Sequence, residues 1–148
     1  MLARYAWAAP ATLVGMLLAV AALPFGATMR RHTGVIEVTL VPGSGEPRRE
    51  RPALPFVAIT FGHAVIARTA DDHARLRSHE RVHVAQYERW GAMFLLAYPA
   101  ESAYQWLRGR RPYLDNRFEV EARRVARDAP VANGVLPQDR AFPPSARS

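Results

Sequence analysis

The stretch Ala70–Trp90, ADDHARLRSHERVHVAQYERW, decides how this chain is read. Thr69 in front of it is an N-cap residue, Asp71 and Asp72 suit the positive end of a helix, and Gly91 ends it. Neither Gly nor Pro interrupts the run, so the pattern predicts one helix from Ala70 to Trp90. At helical spacing Asp72, Leu76, His79, His83 and Trp90 fall on one face. Arg77, Arg81 and Glu88 fall on the opposite face, which reads as solvated.

Within that helix stands His79-Glu80-Arg81-Val82-His83. Side chains four apart on a helix lie one above the other, about 5–6 Å apart at Cβ, so two imidazoles there can hold one metal ion. Glu80 sits beside the first imidazole, where a carboxylate can take a proton from a metal-bound water. Zinc lowers the pKa of that water, so the chemistry expected is metal-assisted hydrolysis with Glu80 as general base. The chain has no Cys, which leaves His and carboxylates as zinc ligands and excludes disulfides. No HExxHxxGxxH extension follows, so a third ligand is sought on a later helix. Glu119, in Asn116–Ala122 (NRFEVEA), is the preferred candidate. Glu121 points about 200° away around the helix. Glu119 can also be read as the carboxylate of a capping box begun by Asn116.

Outward from the motif, Gly34–Val41, Leu54–Phe61 and Ala64–Arg68 are β-branched or alternating and read as strands, with Gly62-His63 as a turn. Pro42–Pro52 reads as a mobile loop. A second helix is expected over Ala92–Arg108 and a third from about Asn116 to Asp128. The Pro-rich residues 129–148 read as a disordered tail. His73 lies off the metal face and reads as solvated. His32 belongs to a basic flank with Arg30 and Arg31. Gln86, one turn after His83, is either a partner within the site or a surface polar residue. Tyr87, Tyr98, Tyr113 and His63 are candidates to stabilise an oxyanion.

From Tyr5 to Met29 no residue is charged, a run long enough to cross a bilayer core of about 30 Å. Residues 1–32 therefore read as a transmembrane anchor in the inner membrane. The rival is a signal peptide cleaved after Ala19-Val20-Ala21, and the anchor is preferred because the apolar run continues past that site. Arginines after the span lean towards a cytoplasmic domain; cleavage would place the domain on the other side. The 148 residues carry 20 Lys+Arg, all of them Arg, and a net charge of +7. The arginines are scattered and no stacking platform accompanies them, so nucleic acid is not an expected partner.

The pair of motifs resembles the gluzincin metallopeptidases. Closest in style are the membrane-bound group of CAAX prenyl proteases and bacterial stress proteases, and the minigluzincins. HERVHVAQYERW with DNRFEVEA at Asp115–Ala122 is also similar to a set of small bacterial membrane proteins. The likeness covers about Phe56 to Arg124. It implies His79, His83 and Glu119 as zinc ligands, Glu80 as general base, and the strand near Ala64–Arg68 as an edge that pairs with an extended peptide substrate. The prenyl-protease pattern continues to an Asp where this chain has Arg123. The expectation is an α+β chain: an N-terminal transmembrane or signal helix, a small antiparallel sheet of about three strands, and three helices completing a minimal gluzincin-like zinc domain over 33–128. Its expected activity is that of a membrane-anchored zinc metallopeptidase. The alternative is a non-catalytic zinc-binding or membrane-associated interaction protein that keeps the motif.

Overall fold

The computed structural model describes residues 2–41 and 56–128. The expected loop at Pro42–Pro52, the start of the strand at Leu54 and the tail from Ala129 lie outside them. The chain is α+β. Helix α1 (Leu2–Ala22) is followed by strands β1 (Thr28–His32), β2 (Val35–Thr39), β3 (Ala58–Phe61) and β4 (Ala64–Ala67), then helices α2 (Ala70–Trp90), α3 (Phe94–Leu107) and α4 (Arg117–Asp128).

The sheet has one strand more than expected, and it is mixed rather than antiparallel. Its order is β1-β2-β4-β3, with β2 and β4 parallel and both outer pairs antiparallel. The extra strand, TMRRH, was hidden because its basic residues are exposed along an edge and show no apolar alternation. It joins β2 through a two-residue turn, Thr33-Gly34, in which both residues have positive φ (44° and 82°), as a type I′ hairpin requires. Arg81 fixes that turn by donating to the His32 and Thr33 carbonyls, both at 2.9 Å.

Strand β4 is buried at every position and lies between β2 and β3. The expected peptide-pairing edge at Ala64–Arg68 is therefore occupied on both sides, and among the described residues the strand without a second neighbour on that side of the sheet is β3. Alternation along the strands separates two faces. Ile66 and Val38 pack against Ala19 of α1, whereas Val65 and Val35 pack against Val84 of α2. The sheet is thus sandwiched between the two long helices. α1 approaches through small residues: Ala8, Ala11 and Ala19 have no exposed surface, and a Cβ on Gly15 would come within 2.7 Å of Ala64 Cβ. The Gly62 turn (φ +58°) abuts the same helix, and a Cβ there would sit 2.2 Å from Thr12 Oγ1. Thr12 Oγ1 instead accepts the His63 amide at 3.0 Å.

α2 begins at the Thr69 cap, whose hydroxyl accepts from the Asp72 amide at 3.1 Å, and ends at Gly91, as its sequence predicts. Its outward face is less solvated than expected. Arg77 makes a two-pronged pair with Glu37 of β2 at 2.8 and 3.1 Å, and Glu88 meets His63 at 3.2 Å. His73, expected in solvent, is buried and hydrogen-bonds the Val38 carbonyl at 3.0 Å. These contacts fix α2 in register with the sheet.

Candidate metal centre

His79 and His83 project from α2 as neighbours one turn apart, both buried, with their rings edge to face. The third group arrives from α4. Fully buried Asn116 sets its direction: Nδ2 donates to the Tyr98 carbonyl and to Ser102 Oγ, and Oδ1 accepts the Phe118 amide at 2.9 Å. That is an N-cap, but the capping-box reading of Glu119 does not hold. Glu119 does not turn back to the Asn116 amide, which meets the Tyr113 carbonyl instead. It points inward, 2 % exposed, and meets both imidazoles.

The three groups converge. His79 Nε2 and His83 Nε2 are 3.1 Å apart, and each lies 3.2 Å from a Glu119 oxygen. Donors held at about 2.0–2.1 Å from a tetrahedral zinc lie roughly 3.3–3.4 Å from one another, so these separations are those of a ligand set. Three such atoms so close need a metal ion or shared protons among them. Glu119 Oε2 is buried without a hydrogen-bond donor, as an oxygen kept for an ion would be. The buried group His79, His83 and Glu119 can therefore hold a metal ion. Glu121, the rival third ligand, points elsewhere: it takes Arg89 at 2.8 Å and Gln86 at 2.7 Å.

Two neighbours prepare the set. Gln86, with no exposed surface, accepts from His83 Nδ1 at 2.8 Å through Oε1 while its amide donates to the Phe118 carbonyl and Glu121. A glutamine oxygen can only accept, so Nδ1 carries the proton and Nε2 turns its lone pair to the centre. Tyr98 donates to Glu119 Oε1 at 2.7 Å. Burial pulls the His83 pKa down, but hydrogen bonding to Glu119 and its charge outweigh that and raise it. Burial pushes the Glu119 pKa up, and the two imidazoles more than reverse it, holding the carboxyl well below the usual carboxylate range.

Glu80 is buried and is no member of the ligand set. Its Oε2 accepts from Thr60 Oγ1 of β3 at 2.7 Å. Both line a cleft of about 630 Å³ into which His79, His83 and Glu119 also open. β3 forms one wall of that cleft; Tyr98, Tyr113 and Arg123 stand in the others. Burial, with Glu119 nearby, raises the pKa of both tyrosines, so each hydroxyl remains a donor. Tyr87 also lines the cleft and packs edge-on against Phe94. His63 does not reach it; it stacks on Tyr5 of α1, 4.2 Å between ring centres. Arg123, standing where the resemblance expects an Asp, brings Nη1 to 3.6 Å from Glu119 Oε2 and bonds the Leu114 carbonyl.

Sequence reasoning missed Thr60, whose strand gives no sign that one hydroxyl faces a carboxylate twenty residues on. Asn116 was legible as a cap, not as the pin joining α4 to α3. Comparison with models of known families, with curated proteins and with solved structures finds no match.

Proposed function

We propose that this chain is a membrane-associated zinc metallopeptidase of gluzincin type. The observation that carries this reading is the convergence of His79, His83 and Glu119 at 3.1–3.2 Å in a cleft whose wall also presents Glu80. Zinc bound there would acidify a water molecule and polarise a peptide carbonyl. Glu80 takes the proton from the attacking water and passes it to the leaving amine. Thr60 holds Glu80 at 2.7 Å and keeps its second oxygen free for that work. β3, the open edge beside the cleft, pairs with an extended peptide by backbone hydrogen bonds. Tyr98 and Tyr113 are the hydroxyls placed to serve the oxyanion, and the apolar N-terminal helix keeps the protein at a membrane.

A structural zinc site is the second reading. The Arg123 guanidinium beside Glu119 favours it, because a nearby cation weakens a carboxylate ligand. The cleft opposes it, because a structural site is closed to substrate.

Metal analysis and peptide cleavage on wild type, Glu80→Gln and His83→Ala decide between them. The peptidase reading expects one zinc per chain in wild type and in Glu80→Gln, loss of zinc in His83→Ala, and loss of cleavage in both variants. Zinc bound without any cleavage of unstructured peptides would leave only the structural site. Failure of wild type to take up added zinc would overturn both.

A further inference from the structure

α1 is long and apolar enough to cross a membrane, over Arg4–Phe25, yet it is built into the fold along its length. Near its start Arg4 meets Glu88 at 3.7 Å and Tyr5 stacks on His63. In the middle Gly15 lies against Ala64 and Phe61. Towards its end Ala19 packs on Val38 and Ile66. These contacts rule out a stalk standing apart from a tethered domain.

Its other face is bare among the described residues. Leu13, Leu17 and Val20 are 63 %, 71 % and 55 % exposed, and they lie opposite Ala8, Ala11, Gly15 and Ala19 around the helix. Trp7, itself exposed, lies against Gly91, and beyond Gly91 stand exposed Met93, just before α3, and Leu96 and Trp106 on α3.

Charge decides how such a surface can meet lipid. Gly15, mid-helix, touches Ala64; Ala64 pairs with Ile36, which pairs with Arg31. One residue on, Val65, Glu37 and Arg30 form the next row, and Arg77 is clamped to Glu37. If α1 stood upright across a bilayer, this charged rim would sit beside its midpoint, in hydrocarbon, where each charge is expensive. If α1 lies flat, the layers stack in order: its bare face in lipid, the sheet above, and α2 towards water. Arg31 then projects from the α1 side of the sheet at headgroup level, and the net charge of +7 favours an anionic surface.

We propose that the outer faces of α1 and α3 form one lipid-facing surface lying in the plane of a single leaflet of an anionic bilayer, with neither helix crossing it.

The chain has no Cys, so single cysteines report position directly. Full-length Arg4→Cys, Leu17→Cys and Thr28→Cys are bound to sealed vesicles of phosphatidylcholine and phosphatidylglycerol and treated with a membrane-impermeant maleimide. The proposal expects Arg4→Cys and Thr28→Cys to label without opening the vesicles, and Leu17→Cys to label only in detergent. Label at one helix end that appears only after lysis means a span and overturns it. Equal labelling of all three with and without vesicles, or Leu17→Cys protected without lipid in a cross-linkable dimer, overturns it too. Leu13→Asp with Leu17→Asp should lower co-flotation with vesicles at least about tenfold. The same variant should leave zinc uptake as in wild type, so the outcome is independent of whether the metal reading stands.

Discussion

Replacing Gln86 by Leu tests whether the centre depends on its support. Leu is close to Gln in size, so the fully buried site keeps its packing. One buried group loses its partner, His83 Nδ1, held at 2.8 Å; the Phe118 carbonyl, at 3.1 Å, loses a donor but keeps its bond within α4. A buried group left unpaired costs about 1–3 kcal/mol, and metal-free stability should fall by roughly that much. Glu121 adds little, since it keeps Arg89 at 2.8 Å. With Nδ1 released, the His83 ring is free to rotate and to change tautomer, and zinc affinity should drop about 10–100-fold, the usual effect of losing such a partner. Gln86→Glu separates the two effects. A carboxylate still accepts from Nδ1–H, so zinc affinity should return to within about threefold of wild type. Its lost amide donations, and its repulsion of Glu121, should keep stability low. Affinity is measured by competition with a chromophoric chelator, and stability by urea unfolding in excess chelator. The reasoning fails if Gln86→Leu holds zinc within about twofold of wild type, or if Gln86→Glu is no better than Gln86→Leu.

Other sites give shorter tests. Burial raises the Glu37 pKa, but the hydrogen bond and charge of Arg77 outweigh it and the folded value lies below 4.5. A depressed carboxylate contributes stability above its unfolded pKa and loses it as pH falls through the folded one. Glu37→Gln should therefore cost about 1 kcal/mol at neutral pH and converge with wild type in acid; urea titrations giving a pH-independent difference would contradict this. Gly62→Ala combines a left-handed φ with a Cβ 2.2 Å from Thr12 Oγ1. It should lose about 2–4 kcal/mol in thermal unfolding, and an unchanged melting temperature would show that α1 does not press on this turn. Removing residues through Ala21, as signal cleavage would, takes away the cover of Phe94, Tyr87 and Ile66. The truncated chain should bind hydrophobic dyes and lose its cooperative transition. A truncated form that unfolds sharply would favour the signal-peptide reading.

What was legible in the sequence was whatever local chemistry writes down. α2 could be bounded closely, to about Ala70–Trp90, because its cap and acidic first turn at one end and its terminal Gly at the other are local signals. The His pair followed because helical spacing alone sets its geometry. Glu119 was reachable for a similar reason: its helix begins at a cap, and only one of two nearby carboxylates can face a given direction. What stayed hidden depends on pairings distant in sequence. TMRRH carries no apolar alternation, and among the described residues its one strand neighbour is β2, which supplies its strand character. Likewise Ala64–Ala67 read as a strand, but only the β2 pairing shows that it is interior and that β3 holds the edge.

The same distinction explains the histidines. His73 was read as solvated from its helix face and is buried, whereas His63 lies in the turn its sequence indicates but does not reach the cleft as an oxyanion donor would. Each is buried by an element far away in sequence: His63 by Tyr5 of α1, His73 by the Val38 carbonyl of β2. His79 and His83 differ because a partner one turn away is part of their own helix. The charged outward face of α2 also depends on the sheet. Arg77 and Arg81, spaced as a solvated face would be, hold Glu37 and the β1–β2 turn. One face of α2 carries the ligands while the other is bolted to the sheet, and Gln86 ties the ligand face to α4. The candidate metal centre is therefore positioned by contacts on both sides of a single helix. Loosening either side should alter zinc affinity, and the Gln86 series and Glu37→Gln address the two sides separately.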